Sequence, residues 1–140
     1  MNKITELIKK APKAELHLHI EGTLEPDLLL RLAKKNNVKI PFSNLQEIKT
    51  AYNFQNLQTF LNIYYQGAKV LIEEQDFFDL TWAYALKCKE NNVVHTEIFF
   101  DPQTHVSRGI SFNTVINGIH KALQKAHKDF NLTSKIIMCF

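Results

Sequence analysis

The 140-residue sequence lacks most of the short motifs that assign a chain to an enzyme class. It contains only four glycines, and these form no G-x-G-x-x-G, P-loop or G-x-S-x-G pattern. Its two cysteines, Cys88 and Cys139, form no CxxC pair. Two isolated thiols fit a reducing compartment, so we expect no disulfide framework.

Long apolar runs and a one-sided charge are also missing. No run approaches the roughly 18–20 apolar residues of a membrane span. The N-terminal MNKITELIKKAPK predicts a short amphipathic helix that ends near Pro12, and it lacks the apolar core of a secretion signal. Basic and acidic residues number 17 and 14, and the lysines are scattered rather than clustered with aromatics. We therefore expect a cytoplasmic protein with no nucleic-acid and no membrane partner.

Strand and helix periodicities alternate along the chain. The strand-like runs AELHLHIEG, VVHTEIFF and SKIIMCF are separated by segments with apolar residues at helical spacing. The predicted helices are Glu25–Asn36 with Thr23 as its cap, a short one at Leu45–Thr50, Leu57–Glu74, Asp76–Asn91 with Asp76 as its cap, and Phe112–Lys128. Residues 101–109 are predicted to be a polar loop. Strands separated by helices predict an α/β fold with parallel strands.

The third predicted strand reaches the last residue, Phe140, with no helix after it. A parallel sheet normally carries helices on both faces, so a three-stranded sheet that stops there looks unfinished. We therefore expect residues 1–140 to be the N-terminal segment of a single longer domain. The open edge of such a sheet is expected to promote self-association.

The segment AELHLHIEG carries the most informative pattern in the sequence. Glu15, His17, His19 and Glu21 alternate with aliphatic residues, so an ideal strand places these four polar side chains on one face. The two histidines lie about 6.6 Å apart at Cα, which lets both imidazoles bind one metal ion at about 2.1 Å. The alternative is that they are ordinary polar residues on a half-exposed strand. Gly22 would allow the backbone to pass close to a ligand.

Other polar residues lie near the ends of the second strand. His95, at its start, is expected to form hydrogen bonds away from any site. Asp101, at its end, is a candidate site residue whose simpler role is to cap the turn before Pro102. His105 follows in the next loop, on the side where active sites of parallel barrels form. A P-C-x-x-C element, part of one type of zinc site, is absent.

Several longer stretches are similar to one enzyme family. KAELHLHIEGTLEP (13–26), AYNFQNLQTFLNIYYQGAKVL (51–71) and TEIFFDPQTHVSRGI (96–110) resemble the adenosine and adenine deaminases of the amidohydrolase superfamily, and its adenine branch in particular. The motifs agree in order and spacing, and the resemblance covers essentially the whole chain. It implies the N-terminal part, about three strands with helices, of a metal-dependent (β/α)8 TIM barrel.

The resemblance also implies a cofactor and a reaction. The family binds one catalytic Zn2+, and His17 and His19 match its first two zinc ligands. Its remaining ligands and catalytic groups lie on later strands, so no catalytic residue is assigned here and the chain alone is expected to be inactive. The implied reaction of the complete protein is hydrolytic deamination of adenine to hypoxanthine and ammonia, in purine salvage. Adenosine deamination, or a binding role for a truncated relative, is the alternative.

The same resemblance implies a set of substrate contacts. Glu21 and Gly22 follow the zinc ligands, and the adenosine branch usually has an aspartate at the position of Glu21. The longer carboxylate predicts a preference for adenine, because its oxygens would reach into the space of a ribose. Phe60 and Leu61 match a helix that forms an apolar lid over the pocket mouth, with core packing as the alternative. Asp101 completes the set of candidate substrate contacts.

Overall fold

The structure is a computed structural model that describes residues 2–139 and contains three strands connected by helices. In chain order the elements are α1 (Lys3–Lys10), β1 (Lys13–His19), a 3-10 turn (Ile20–Thr23), α2 (Pro26–Lys35), α3 (Leu45–Ala51), α4 (Leu57–Lys69), α5 (Glu74–Glu90), β2 (Val93–Phe100), α6 (Pro102–Val106), α7 (Phe112–Phe130) and β3 (Thr133–Met138). Met1 and Phe140, which the predicted first helix and third strand include, lie outside the described residues.

The three strands form one sheet in the order β1-β2-β3, and both strand pairs are parallel. The side chains of Thr96, Ile98 and Phe100 in β2 are buried on the face that packs against the helices. Phe99 alternates with them and lies on the other face, which is open in the part of the chain that the structure describes. The predicted α/β fold with parallel strands is confirmed.

Helices α5 and α7 pack against each other at a glycine. A Cβ atom on Gly118 of α7 would lie 2.7 Å from the Cβ of Phe77, 3.0 Å from the backbone nitrogen of Phe78, and closer still to the carbonyl oxygen of Glu74. Only a hydrogen atom fits there, so the two helix backbones approach each other directly. The adjoining core contains the buried side chains of Leu80, Val115, Ile119 and Leu123.

Strand β1 contains a bulge. Glu15 pairs with Thr96 and Leu18 pairs with Ile98, so β1 has one more residue than β2 between these two pairs. A regular strand would place Glu15 and Leu18 on opposite faces. Because of the extra residue, both side chains instead point toward the helices, the side on which their β2 partners Thr96 and Ile98 are buried.

The bulge separates Glu15 from the histidines. The hydroxyl of Tyr84 in α5 donates a hydrogen bond to Oε2 of Glu15 at 2.7 Å, on the helix side of the sheet. His17 and His19 contact Phe99 on the open face. The prediction that Glu15 shares a face with the two histidines is therefore wrong, because strict alternation does not hold across a bulge.

The start of helix α2 differs from the sequence prediction. Thr23 does not cap it, because the Thr23 hydroxyl donates to the carbonyl of Ile20 at 2.8 Å inside the 3-10 turn. Glu25 occupies the cap position without a side-chain hydrogen bond, and Pro26 begins the helix. The fixed φ of proline suits this first helical position.

The boundary between α4 and α5 also differs from the prediction. Helix α4 ends at Lys69, not Glu74, and α5 begins at Glu74, two residues before the predicted cap. Asp76 therefore lies inside the first turn of α5 and accepts from the backbone N–H of Ile72 at 3.0 Å and of Glu73 at 2.9 Å. This capping-box arrangement fixes the helix start from its third residue.

Residues 101–109 are not entirely a loop, because they include the short helix α6. Asp101 caps it by accepting from the backbone N–H of Thr104 at 3.2 Å. Helix α7 continues to Phe130 rather than Lys128, and the next residue, Asn131, caps its end with a left-handed φ of 58°. None of the helices within residues 2–139 is both long and apolar enough to span a membrane.

Candidate active site

His17 and His19 lie side by side at the carboxyl end of β1, on the open face of the sheet. Their ring centroids are 5.8 Å apart, and the ring planes are tilted by 33°. Both imidazoles stack on the ring of Phe99 in β2, with centroid distances of 4.5 and 5.4 Å. Both histidines are exposed. The structure thus brings together the two predicted metal ligands, with one aromatic ring packed against both.

The histidine pair fits two ligands of a metal ion. Two imidazoles bound to one tetrahedral zinc have ring centroids roughly 5 Å apart, so the observed 5.8 Å requires only small ring rotations. Residues 2–139 contain no group of three or more His, Cys, Asp or Glu side chains that could hold a metal ion. Because a catalytic zinc normally has three protein ligands, His17 and His19 alone would form only part of such a site.

A thiol lies next to the histidine pair. Cys139 Sγ is 3.8 Å from Nδ1 of His19. Burial, together with the negative charges of Glu21 and Asp101, raises the pKa of the Cys139 thiol.

Glu21 lies in the 3-10 turn after β1 and not on the strand face predicted for it. It is 2% exposed. Its Oε1 accepts from the backbone N–H of Asp101 at 2.9 Å and lies 3.1 Å from Nε2 of His105. Its Oε2 accepts from the hydroxyl of Tyr64 at 3.2 Å. These contacts use three of the roughly four acceptor positions of a carboxylate, so a substrate contact of Glu21 is limited to the remaining one.

His105 is fully buried behind Glu21. Its second ring nitrogen, Nδ1, lies 2.9 Å from Nη2 of Arg108. Arg108 also donates to the carbonyl oxygens of Lys69 at 3.2 Å, Leu71 at 3.0 Å and Thr104 at 3.1 Å. Burial lowers the pKa of the Arg108 guanidinium. This set of contacts joins the end of α4 to α6 and, through His105, to the turn that carries Glu21.

An aromatic group from α4 borders Glu21 on another side. Tyr64 and Phe60 line a crevice of about 20 Å3 next to Glu21 and Gly22, which has room for about one water molecule. Phe60 packs edge-on against Phe54 at 5.2 Å and lies 6.0 Å from the ring of Tyr64. Burial, and then the charge of Glu21, raises the pKa of Tyr64. Packing of Phe60 is therefore observed, and its lid role stays a prediction.

Gly22 and Leu61 have no special role in the packing of this chain. A Cβ atom on Gly22 would lie 3.8 Å from the ring of Tyr64, which is an ordinary contact. Leu61 is half-buried on α4 and is not among the residues that line the crevice. Contacts of Gly22 and Leu61 with a substrate stay predictions.

Asp101 and His95 have the simpler roles that the sequence allowed. Asp101 caps α6, and whether it also contacts a substrate stays a prediction. His95 lies at the start of β2, where its Nδ1 is 2.7 Å from the hydroxyl oxygen of Thr133. This hydrogen-bonded position at the amino end of the strand was expected.

Sequence reasoning did not identify Tyr64 or Arg108, and it gave His105 only a position near the site. A signal was present, since Arg108 follows His105 by three residues, the spacing of side-chain neighbours on a helix. Residues 101–109 were predicted to be a loop, so the helical spacing rule was not applied to His105 and Arg108. No comparable pattern marks Tyr64, because its contact with Glu21 spans 43 residues.

Comparison with known proteins gives a consistent result. The family model of adenosine deaminase matches residues 12–140. The adenine deaminase of Psychrobacter cryohalolentis is 64% identical over 135 residues, which cover 96% of this chain and 41% of that protein. The crystal structure of an adenine deaminase from Arthrobacter aurescens is 44% identical, has a TM-score of 0.86, and is matched over 91% of this chain and 39% of its own.

More distant structures share the fold. An amidohydrolase from Burkholderia ambifaria with bound Zn is 21% identical and has a TM-score of 0.82, with 95% of this chain and 36% of that chain covered. The chain spans about two fifths of the length of the curated relatives it matches, with 41% and 42% of two of them covered. The three strands and their helices therefore correspond to part of a larger barrel.

Proposed function

Because the chain belongs to the adenosine deaminase family, we propose that the complete protein hydrolytically deaminates adenine to hypoxanthine and ammonia. The proposal includes a zinc cofactor and a role in purine salvage. It also includes a cytoplasmic location, and the free thiols of Cys88 and Cys139 support this location because they fit a reducing compartment. Residues 1–140 form the N-terminal segment of its single barrel domain in this proposal.

The position of His17 and His19 in the sheet is the main support for the proposal. His17 and His19 lie together at the carboxyl end of a parallel strand, on the sheet face that the described helices leave open. In β/α barrels the active site forms at this end of the strands. The relatives named adenine deaminase match nearly the whole chain, which supports adenine over adenosine as the substrate.

The residues of this chain have distinct roles in the proposed reaction. His17 and His19 are two of the zinc ligands, and Phe99 holds both rings on the same side of the sheet. When bound, zinc activates a water molecule for attack on the purine at neutral pH. Glu21 offers its one remaining acceptor position toward the purine, and Gly22 leaves space for the purine next to the turn.

The remaining candidate contacts lie around this position. Phe60 and Leu61 of α4 shield the purine from water in the proposed enzyme, because α4 is already tied to Glu21 through Tyr64. Asp101 lies directly after β2. Its backbone N–H donates to Glu21 and its side chain caps α6. Other ligands and the proton-donating groups belong to the rest of the barrel.

The full-length protein that contains this chain provides the test. We would purify it, measure zinc by atomic emission, and follow the conversion of adenine and of adenosine to their deaminated products with release of ammonia. We expect about one zinc per chain and a kcat/KM for adenine well above that for adenosine. A preference for adenosine would contradict the adenine assignment. Purine binding without turnover would indicate a binding module and contradict the proposed enzyme.

A further inference from the structure

We propose that His105, held in one tautomer by Arg108, is the residue that positions Glu21 for the reaction. The inference rests on the proposed function, because Glu21 is a candidate substrate contact in that reaction. His105 and the Glu21 side chain are both almost completely buried, with 0% and 1% of their side-chain surfaces exposed. The hydrogen bonds of the His105 ring go to Glu21 and Arg108 and not to the proposed zinc ligands, so its effect on the site passes through Glu21.

The contact with Arg108 determines which nitrogen of His105 carries the proton. A guanidinium group only donates hydrogen bonds, so the 2.9 Å contact from Arg108 Nη2 requires Nδ1 of His105 to be the acceptor. The ring proton of the neutral imidazole is then on Nε2. This N–H points at Oε1 of Glu21, 3.1 Å away, and donates to it.

His105 has little freedom to turn away from Glu21. Its ring packs edge-on against Phe77, with centroids 4.9 Å apart. Arg108 cannot follow a rotation of the imidazole, because it is itself bonded to three carbonyl oxygens: those of Lys69 at the end of α4, Leu71 just after α4, and Thr104 in α6. Because neither Arg108 nor the imidazole can turn, the direction of the Nε2–H bond is determined. The hydrogen bond from this N–H then determines the position of Oε1 of Glu21.

A merely structural role for His105 is the competing explanation. In that case the important contact is the one that Nδ1 accepts from Arg108, since it joins α6 to the end of α4. Glu21 would then be held well enough by the backbone N–H of Asp101 and the hydroxyl of Tyr64. The two explanations assign importance to different nitrogens of the same ring.

Two substitutions separate these nitrogens in the zinc-loaded, full-length protein. His105→Gln places an amide N–H near the position of Nε2, which keeps the donor to Glu21. His105→Asn places an amide oxygen near the position of Nδ1, which keeps the acceptor for Arg108 and removes the donor. His120→Gln and His120→Asn on the exposed face of α7 are the matched controls. For each protein we would measure kcat and KM for adenine, zinc content and the melting temperature.

Positioning predicts that His105→Gln retains most of the activity, whereas His105→Asn loses about 10- to 100-fold in kcat/KM, the effect of removing a hydrogen bond to a charged group. Zinc content should stay at one in both proteins. An activity of His105→Asn equal to or above that of His105→Gln would overturn the inference. So would a loss of zinc that accounts for the loss of activity.

A second measurement keeps the inference separate from the proposed function. Nitrogen-15 NMR of histidine-labelled protein should show a neutral His105 with its proton on Nε2, assigned by its disappearance in His105→Asn. If the wild-type protein shows this signal but does not deaminate adenine, the proposed function is contradicted. The hydrogen bond from His105 to Glu21 is supported in that case. A His105 with its proton on Nδ1, or on both nitrogens, overturns the positioning inference whatever the activity.

Discussion

Replacing His17 with alanine removes one of the two exposed imidazoles that stack on Phe99. We expect the full-length His17→Ala protein to lose its zinc during dialysis and more than about a hundredfold in activity. Changes in residues that only orient a ligand already cost about 10- to 100-fold in metal affinity, and a ligand itself contributes more. Metal analysis and the adenine assay, made on the same sample, measure both effects.

His95→Ala is the control for this substitution. His95 lies at the opposite end of the sheet and bonds to Thr133, so its replacement should leave the zinc content unchanged. Full zinc occupancy and near-normal turnover in His17→Ala would rule out His17 as a ligand.

Shortening Glu21 by one methylene should disturb the site for any substrate. In Glu21→Asp the carboxylate can no longer reach Asp101, His105 and Tyr64 together. Each hydrogen bond to a charged group contributes about 1.5–3 kcal/mol, so we expect kcat/KM to fall about 10- to 100-fold for adenine and adenosine alike. Glu25→Asp, at an exposed position, is the control.

The Glu21→Asp result also decides between two interpretations of the longer carboxylate. The sequence-based interpretation is that Glu21 extends into the space of a ribose, so the shorter aspartate would selectively improve the use of adenosine. The buried position of Glu21 favours a parallel loss instead. A rise in the adenosine-to-adenine ratio of kcat/KM would support the first interpretation and contradict ours.

The candidate site shows what the sequence could predict at this scale. His17 and His19 were identifiable as candidate ligands because both belong to one strand and their spacing is local. The partners of Glu21 were not, because Tyr64, Asp101 and His105 come from three other segments and reach Glu21 only in the folded chain.

At the scale of elements, the start of α5 depends on one buried carboxylate. Asp76 accepts from the backbone of Ile72 and Glu73, from Asn36 Nδ2 at 2.7 Å and from Lys35 Nζ at 2.6 Å. Asp76→Asn removes the charge and the pairing with Lys35. We expect the free energy of unfolding of the full-length protein to fall by about 2 kcal/mol, as measured by urea denaturation at neutral pH.

This contribution of Asp76 should depend on pH in a defined direction. Burial opposes ionisation of Asp76, but the hydrogen bonds from Lys35, Glu73, Ile72 and Asn36 outweigh it and lower its pKa below 3.8. A lowered pKa stabilises the fold above the unfolded-state pKa, and the stabilisation is lost as the pH falls through the folded-state value. The difference in unfolding free energy between wild type and Asp76→Asn should therefore narrow below pH 3.8. A difference that widens in acid would contradict this assignment.

The contact between α5 and α7 depends on the absence of a side chain. Gly118→Ala would force the Cβ atom into Phe77 and the backbone of Glu74, so the two helices must move apart. We expect a loss of about 1–3 kcal/mol in unfolding free energy, the usual cost of overpacking. Asn117→Ala, at the exposed neighbouring position, is the control and should be neutral or slightly stabilising. Equal melting temperatures for the two variants would contradict this account of the helix contact.

Elements were easier to predict than their irregularities. The bounds of β2 and the start of α7 were predicted correctly, because a run of β-branched and aromatic residues and apolar residues at helical spacing are local signals. The bulge in β1 does not, because it exists only in the pairing of β1 with β2. The start of α5 before Asp76 was also missed, because Asp76 accepts from the backbone of Ile72 and Glu73 from inside the helix and not from its cap position.

At the scale of the whole molecule, the 140-residue chain leaves apolar surface uncovered. Leu16 of β1 is 57% exposed, and a groove of about 590 Å3 lies along β1 and α5, lined in part by Leu18 and Tyr84. Strands β1 and β3 are both edges of the sheet. We expect this chain, expressed alone, to associate through its sheet edges, to bind zinc weakly and to be inactive on adenine.

Light scattering, zinc titration and the adenine assay test this expectation together. Association should increase with protein concentration, and zinc affinity should be far below that of the full-length protein measured in parallel. A monomer that binds zinc tightly, or any adenine turnover above that of a His17→Ala sample, would contradict it.

The parallel pairing of β1 with β2 has a consequence during synthesis. Glu21 is held by the backbone of Asp101, 80 residues further along the chain. A ribosome that adds about 5–20 residues per second needs roughly 4–16 s to make this stretch. Throughout that time the segment with His17 and His19 has no strand to pair with, so its imidazoles are free for any metal ion or chaperone that reaches the nascent chain.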